Sequence, residues 1–214
     1  YSTDLRNVDF SGANLSFAYL YRSELISSLF IDADMENTNL WYTDLTNAKL
    51  TGATLIGANF SGARLVDANL RYTDLTNAFF FGAHIWYADL SNADLTGADF
   101  TNASNMRVRG VNLVTCPTHL PSEWSCIAHH LVGPNANLSF ADLSGANLSG
   151  LNLRGVNMEN ATLIGTDLSN SYLGYANLKY SALSNANLTD ADISHAIVNH
   201  ANLTNAILID ALFY

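Results

Sequence analysis

The stretch SNADLTGADF, residues 91–100, holds two copies of one five-residue pattern. In each copy a small residue is followed by Asp and then by a large apolar residue, as in the triplet 93–95. The pattern extends outward, because every fifth residue from Leu5 to Phe100 is Leu, Phe, Met or Ile, which makes 20 units. A period of five fits neither the 3.6 residues of a helical turn nor the alternation of a strand, so the sequence predicts a repeat architecture.

The same pattern returns in the second half of the chain in a shifted register. It runs from Leu138 to Phe213 and adds 16 units, so the chain holds 36 in all. Two residues before the large apolar residue stands a small one, which is Ala in 24 of the 36 units. A unit this short cannot bury its own apolar side chain, so the units must stack and share a column-shaped core. Phe60, Phe80 and Phe100 recur every 20 residues, which indicates four units per turn.

Several units carry the sequence signature of a known family. The clearest are SGANL (11–15), SNADL (91–95), TGADF (96–100), SFADL (139–143) and SNANL (184–188). They resemble the pentapeptide repeat family, whose consensus reads A-(D/N)-L-x-x, and the resemblance covers about 180 of the 214 residues. It implies an all-β fold, a right-handed quadrilateral parallel β-helix of about nine to ten coils in which each side is one pentapeptide.

The predicted organisation is a single pentapeptide repeat β-helix domain over residues 1–214. Coils occupy residues 1–100 and 138–214, and an irregular segment with a loop occupies residues 101–137. We expect the coils before and after this interruption to share one axis, because the pattern resumes after a multiple of five residues.

Charge and hydropathy exclude several classes of protein. The chain has 9 Lys and Arg against 19 Asp and Glu, a net charge of -10. Cationic patches supply most of the affinity for nucleic acid, so a nucleic-acid partner is disfavoured. A basic protein partner or simple solubility is compatible with this charge. The sequence also has no run of 18 apolar residues, so no membrane span is expected.

The pattern fails between its two runs. Asn105 stands in the place of an apolar residue, and Val108 and Leu113 fit two irregular units. The stretch TCPTHLPSEWSCIAHHLVGP, residues 115–134, then holds all three prolines of the chain. Proline has no N–H to donate to a backbone ladder, so this stretch is predicted to be a loop that projects from the stack.

Both cysteines lie in this loop. Cys116 and Cys126 enclose nine residues, and the favoured interpretation is a disulfide, which forms in an oxidising compartment. A secreted, periplasmic or lumenal location follows from that interpretation. Two alternatives stay open. One is a zinc site formed by the two cysteines with His119 and His129, whose spacing suits tetrahedral coordination. The other is a pair of reduced thiols in a cytoplasmic protein.

The sequence contains no residue set that is typical of an enzyme. Asp precedes the inward apolar residue in 11 units, but Asn takes the same place in others, so this position is predicted to serve turn geometry. There is no phosphate-binding glycine loop and no G-x-S-x-G nucleophile motif. His195 and His200 stand at outward positions and are interpreted as solvated side chains. We therefore expect no catalytic activity and no cofactor.

Outward aromatic residues are denser in the first half of the chain. Four of them share one column with an interval of 20 residues, which only Ser61 interrupts. Trp124 stands apart in the loop, where a Trp is more typical of an anchor that packs the loop onto the stack. The candidate partner surface consists of Tyr1, Tyr21, Trp41, Phe81 and Trp124.

The sequence as a whole favours a non-enzymatic structural or protein-interaction scaffold. The resemblance implies one alternative, since some pentapeptide repeat proteins mimic duplex DNA and bind the type II topoisomerase DNA gyrase. A metal-binding protein that uses the Cys/His loop is a second alternative.

Near the end of the chain, Ile197, Ile207 and Leu212 take outward positions that elsewhere hold Asp or Asn. An exposed final coil presents apolar surface and open strand edges, so we expect a homodimer through that coil.

Overall fold

A computed structural model describes residues 3–104 and 106–214 of the chain. The chain forms two compact units, Tyr1–Ser122 and Glu123–Tyr214, which are named unit 1 and unit 2 here. The single domain with one shared axis stays a prediction. Tyr1 of the candidate partner surface and Asn105 of the interruption lie outside the described residues.

Parallel backbone pairing at an interval of 20 residues builds both units. Asp34 and Thr54 are a typical pair. The N–H of Thr54 donates to the carbonyl oxygen of Ala33 at 2.9 Å, and its carbonyl oxygen accepts from the N–H of Met35 at 2.8 Å. Four pentapeptides therefore make one coil, as the recurrence of Phe in the sequence predicts.

A tight turn joins each pentapeptide to the next. Between Leu45 and Ala48, for example, the N–H of Ala48 donates to the carbonyl oxygen of Leu45 at 2.9 Å. The third residue of this turn, Asn47, has a φ of 60°. A type II turn requires a positive φ at that place, and Gly or Asn adopts it at the lowest cost. Aromatic residues adopt it too, as Tyr42 does with a φ of 56°.

The inward residues form the core of each unit. In unit 1 the large inward residues from Leu25 to Phe100 are fully or almost fully buried. The rings of Phe60 and Phe80 stack one coil apart, with centroids 4.8 Å from each other. The final coil of unit 2 differs, because its inward residues Leu208 and Phe213 are 36% and 56% exposed.

The irregular segment of unit 1 is shorter than the sequence indicates. Arg109, Thr115 and His119 all bridge to the coil before them, so the ladder continues into the stretch that was predicted to project as a loop. Thr115 pairs with a residue 21 positions earlier, and His119 then returns to the interval of 20, so the register shifts by one residue only locally. Val108 and Leu113 are buried, in agreement with the two irregular units expected there.

A β-hairpin follows at the beginning of unit 2. Strand β1, Ser125–Ile127, pairs antiparallel with strand β2, His130–Val132. Ala128 and His129 connect them with φ values of 49° and 61°. Two positive φ values define a type I′ turn, whose twist suits a two-residue hairpin. The sequence does not predict this hairpin, because Ala-His lacks the Asn-Gly signal of such turns.

Candidate functional site

Unit 1 presents a cluster of outward aromatic side chains. The ring centroids of Tyr21 and Trp41, one coil apart, are separated by 5.7 Å, and the ring of Tyr19 lies 5.9 Å from that of Tyr21. Trp41 also stacks on its neighbour Tyr42, with centroids 5.1 Å apart. Together with Phe81, which is 55% exposed, these side chains are named the aromatic face. The sequence predicts the column of Tyr21, Trp41 and Phe81 and places Tyr42 among the outward aromatic residues, but it does not predict the contribution of Tyr19.

Turn geometry places these rings side by side. Tyr21, Trp41 and Phe81 each follow an inward residue directly, so their side chains point away from the core. Tyr42 occupies the positive-φ position of its turn, which turns its ring toward the same column. The guanidinium of Arg22 lies over the ring of Tyr21, 5.0 Å from its centroid, a cation–π contact that orders this end of the face.

A cleft of about 370 Å³ opens in the aromatic face. It lies where Ser61 and Gly62 follow Trp41 and Tyr42 by one coil and therefore leave the aromatic column empty. The cleft is lined by Trp41, Tyr42, Asn59, Ser61, Gly62, Phe81 and Gly82. None of these side chains carries a charge, so the cleft suits an apolar or aromatic group rather than an ion.

Both loop cysteines are in the disulfide-bonded state. Neither Cys116 nor Cys126 is free, so their sulfur atoms are not available as thiolate ligands for a metal while the bond exists. Within residues 3–104 and 106–214 no group of three or more His, Cys, Asp or Glu side chains converges closely enough to hold a metal ion. The four residues of the zinc hypothesis, which also include His119 and His129, therefore do not converge as a ligand set.

Trp124 is an anchor within unit 2. Its indole lies against Gly133, and a Cβ atom added to Gly133 would come within 2.6 Å of the indole Cδ2. Trp124 is only partly exposed, so it contributes less to a partner surface than the sequence indicates. In β2, His130 is buried, and its Nε2 lies 3.0 Å from the carbonyl oxygen of Asp142.

The carboxylates that precede inward residues are engaged with their own turns. Oδ1 of Asp192 accepts hydrogen bonds from the N–H of Ser194 at 3.0 Å and from its hydroxyl. The hydrogen bond from the Ser194 side chain is the main reason why the pKa of Asp192 lies below its usual range. In the same way Oδ1 of Asn187 accepts from the N–H of Thr189 at 3.1 Å. Because the amide of Asn and the carboxylate of Asp accept the same hydrogen bond from the turn, this position serves turn structure rather than acid–base chemistry.

The two outward histidines make contacts that the sequence does not predict. His195 stacks on Tyr175, one coil earlier, with ring centroids 4.8 Å apart. His200 stacks on Tyr180 in the same manner, with centroids 5.0 Å apart. Both histidines remain exposed, in agreement with the sequence, but their rings are ordered by these stacks.

A second cleft of about 370 Å³ lies on unit 2 and is absent from the sequence predictions. It forms because Gly174 takes the position directly after the inward residue, where no other unit has Gly. Its φ is not in the left-handed region, and a Cβ atom there would meet only the carbonyl oxygen of Ser194 at 3.7 Å. The backbone therefore does not require Gly. The cleft is lined by Glu123, Asn152, Arg154, Tyr172, Gly174 and Asp192.

Parallel pairing at an interval of 20 residues, with a turn after every fifth residue, defines a solenoid of five-residue repeats. The chain belongs to the pentapeptide repeat family. The family model for pentapeptide repeats matches eight copies, within residues 3–42, 28–65, 43–80, 63–102, 80–113, 135–170 and 171–210. Proteins of this family form right-handed quadrilateral β-helices and are generally non-enzymatic scaffolds.

Solved structures of other family members are similar to this chain. HetL, a pentapeptide repeat protein involved in heterocyst differentiation regulation from the cyanobacterium Nostoc sp. strain PCC 7120, is 28% identical, with a TM-score of 0.36. The match covers 98% of this chain and 86% of HetL. A pentapeptide repeat protein from the thylakoid lumen of Arabidopsis thaliana is 32% identical, with a TM-score of 0.45. That match covers 48% of this chain and 73% of the Arabidopsis chain.

QnrB1, a plasmid-mediated fluoroquinolone resistance protein, is 19% identical over 100% of this chain and 92% of its own, with a TM-score of 0.36. No curated protein matches the chain. Within residues 3–104 and 106–214, no helix is long and apolar enough to cross a membrane.

Proposed function

We propose that the protein is a non-enzymatic scaffold that binds a protein partner through the aromatic face of unit 1. The observation that carries this proposal is the cluster of Tyr19, Tyr21, Trp41, Tyr42 and Phe81 on one side of a single unit. Large exposed aromatic side chains that contact one another are typical of protein-binding surfaces, where Tyr and Trp supply most of the contact energy. The parallel ladder holds these rings in fixed positions, so little conformational entropy is lost on binding.

Site-specific photo-crosslinking tests this proposal. A benzoylphenylalanine residue at position 81 places the reactive group in the aromatic face, and the same residue at position 11 places it at an equivalent turn position outside the face. We expect position 81 to give one discrete cross-linked protein in an extract of the source cells, and position 11 to give none. Identical patterns at both positions, or no adduct at position 81, would refute the proposed surface.

An extracytoplasmic location is the second part of the proposal, and the paired cysteines support it. Structural disulfides persist in secreted, periplasmic and lumenal compartments and are rare in the reducing cytosol. Alkylation of intact cells before lysis, followed by mass spectrometry of the Cys116 and Cys126 peptides, tests it. An oxidised pair is expected, and two alkylated cysteines would indicate a cytoplasmic protein.

Self-association through the end of unit 2 is the third part. The final coil exposes its inward residues Leu208 and Phe213 together with the outward residues Ile207 and Leu212. An exposed apolar surface beside unpaired strand edges is stabilised when a second surface of the same kind covers it. We infer that a second copy of the chain covers this end, which gives a two-fold symmetric dimer.

Binding to DNA gyrase stays a prediction from the family resemblance. A mimic of duplex DNA presents carboxylates in place of phosphates. Here carboxylates such as those of Asp167 and Asp192 accept hydrogen bonds from their own turns, and they alternate with neutral amides. A supercoiling assay with purified gyrase, together with a pull-down of gyrase in the absence of DNA, separates this alternative from the scaffold proposal, because a gyrase-binding mimic of DNA should inhibit the enzyme and bind it directly.

A further inference from the structure

The aromatic column of unit 1 lacks one ring. Along the column, Tyr21, Trp41, Ser61 and Phe81 follow one another at an interval of one coil. The rings of Tyr21 and Trp41 are in contact, but Ser61 is too short to continue the stack to Phe81. Trp41 and Phe81 are 41% and 55% exposed, and both line the cleft that takes the place of the missing ring.

The floor of this gap is closed. Gly62 has no side chain, and the ring of Tyr42 lies over it, since a Cβ atom on Gly62 would come within 2.5 Å of Cε1 of Tyr42. Gly82 lies at the equivalent turn position of the next coil. A Cβ atom added to Gly82 would have no other atom within 4 Å. The open volume therefore lies above Ser61 and extends over Gly82, beside Phe81.

The dimensions of the gap match one planar ring. Neighbouring coils are about 4.8 Å apart, so Trp41 and Phe81 are separated by about 10 Å along the stack. One ring placed midway would lie about 5 Å from each of them, a normal separation for stacked aromatic side chains. The core of the same unit contains this arrangement, because Phe80 stacks between Phe60 and Phe100 with centroid distances of 4.8 and 4.3 Å.

We propose that the cleft over Ser61 is a receptor for one aromatic side chain of the protein partner, inserted in the position of the missing ring. This inference rests on the proposed function, because it names the chemistry that the aromatic face recognises. The inserted ring lies against Phe81 on one side and against the stacked pair of Trp41 and Tyr42 on the other. The Nδ2 amide of Asn59 and the hydroxyl of Ser61 lie at the cleft and are free of partners among the described residues, so they suit the polar edge of a Tyr or the backbone of the partner.

The charge of the cleft favours an aromatic protein side chain over a nucleobase, which is the other common planar ring. The cleft has no Lys or Arg in its lining, and the chain carries a net charge of -10. Among the described residues, the one cation shown at the aromatic face, Arg22, lies over the rings of Tyr21 and Tyr42 and not in the lining of the cleft. A nucleobase would bring a phosphate into a net negative field, whereas proteins that stack single-stranded nucleic acid combine aromatic rings with a basic groove. A neutral aromatic side chain has no such cost.

Fluorine NMR of the full chain labelled with 5-fluorotryptophan tests the inference. The chain has three Trp residues, so Trp41 reports on the cleft while Trp86 and Trp124 report on other surfaces. The probe is N-acetyl-tyrosinamide, and its aliphatic match is N-acetyl-leucinamide. We expect the tyrosine probe to shift the Trp41 signal saturably, with a dissociation constant of about 1 mM, as for a small ligand held by ring contacts. The leucine probe should leave the signal unchanged.

Two matched variants make the result decisive. Ser61→Phe completes the column and should abolish the Trp41 response, while Ser11→Phe adds the same ring outside the aromatic face and should leave it intact. Phe81→Ala removes one wall and should weaken binding at least about fivefold. If Ser61→Phe and Ser11→Phe have equal melting temperatures, the loss of the Trp41 response in Ser61→Phe is not caused by unfolding.

A Trp41 response that survives in Ser61→Phe, an equal response of Trp86, or an equal response to the leucine probe would overturn the inference. The cross-linking experiment at position 81 is independent of these readouts. If it yields a partner while the tyrosine probe does not bind, the aromatic-ring receptor is refuted and the scaffold function stands. If the probe binds but no partner is cross-linked, the scaffold function is refuted.

Discussion

The rings of Phe80 and Phe100 stack almost in parallel, with centroids 4.3 Å apart and an interplanar angle of 4°. The two residues are 20 positions apart in the chain and one coil apart in the structure. Both side chains are fully buried. Because Phe60 stacks on the other side of Phe80, each ring in the series contributes to the packing of two coils.

Replacement of Phe80 by Ala should destabilise the protein by about 3–5 kcal/mol, since it removes buried apolar surface and leaves a cavity between two rings. Phe81→Ala is the matched control, because Phe81 is exposed and should change stability by less than about 1 kcal/mol. Chemical denaturation of both variants measures the difference. Equal losses of stability would contradict the assignment of Phe80 to the core.

Two glycines of unit 2 should respond in opposite ways to the same substitution. Gly133→Ala should destabilise the protein, because its Cβ atom would overlap the indole of Trp124. Gly174→Ala should be neutral or stabilise the protein by about 0.4–1 kcal/mol. The added Cβ atom fits without overlap, and the substitution reduces the conformational entropy of the unfolded chain. Thermal unfolding compares the two variants, and a large loss of stability in Gly174→Ala would show that this glycine has a structural role.

The Cys116–Cys126 bond should be detectable without any reducing agent. Denatured, unreduced protein should contain no reactive thiol, and thiol titration or mass spectrometry checks this. The double variant Cys116→Ser/Cys126→Ser should fold, because the inward residues form the core independently, but should lose about 2–4 kcal/mol of stability. Two reactive thiols in the unreduced protein would rule the bond out.

Stability should fall with pH in a specific range. Hydrogen bonds from Ser144, Ser169 and Ser194 lower the pKa of Asp142, Asp167 and Asp192, respectively, below the ordinary value of 3.8. A lowered pKa in the folded state contributes stability above the unfolded value, and this contribution is lost as pH falls through the folded value. We therefore expect the melting temperature to decrease from about pH 4 downward.

The triple variant with Asn at positions 142, 167 and 192 tests the origin of this effect. Asn accepts the same hydrogen bonds, so the fold should persist at neutral pH, while the melting temperature should depend less on pH below about pH 4. The triple variant Asp67→Asn/Asp190→Asn/Asp210→Asn, which removes the same number of charges at other turn positions, is the control for a change of net charge alone. An unchanged acid dependence in the variant at positions 142, 167 and 192 would place the cause elsewhere.

Self-association should depend on the last coil of unit 2. Ile207→Asp places a charge on the exposed apolar surface and should shift the protein toward a monomer, because a buried unpaired charge opposes association. The single variant Asp210→Asn serves as a control, since it should leave association unchanged. Light scattering over a range of concentrations measures both, and a wild-type protein that is monomeric at high concentration would refute the dimer.

The sequence alone determined the repeat and its consequences. In every five residues, a small residue is followed two positions later by a large apolar one. Because no single unit can bury its own apolar side chain, this pattern predicts a stacked column. The interval of 20 between Phe60, Phe80 and Phe100 gave the size of the coil. The interchange of Asp and Asn before the inward residue indicated the turn hydrogen bonds that the structure contains.

Only the tertiary structure decided which outward side chains meet. The hairpin around Ala128 and His129, the ring of Tyr42 over Gly62 and the stack of His195 on Tyr175 have no periodic signal in the sequence. They depend on side-chain directions in neighbouring coils, which are far apart in the chain and meet only after the ladder has formed. The core was predictable because every unit repeats the same burial, whereas the clefts arise where single residues, Ser61 and Gly174, depart from their neighbours.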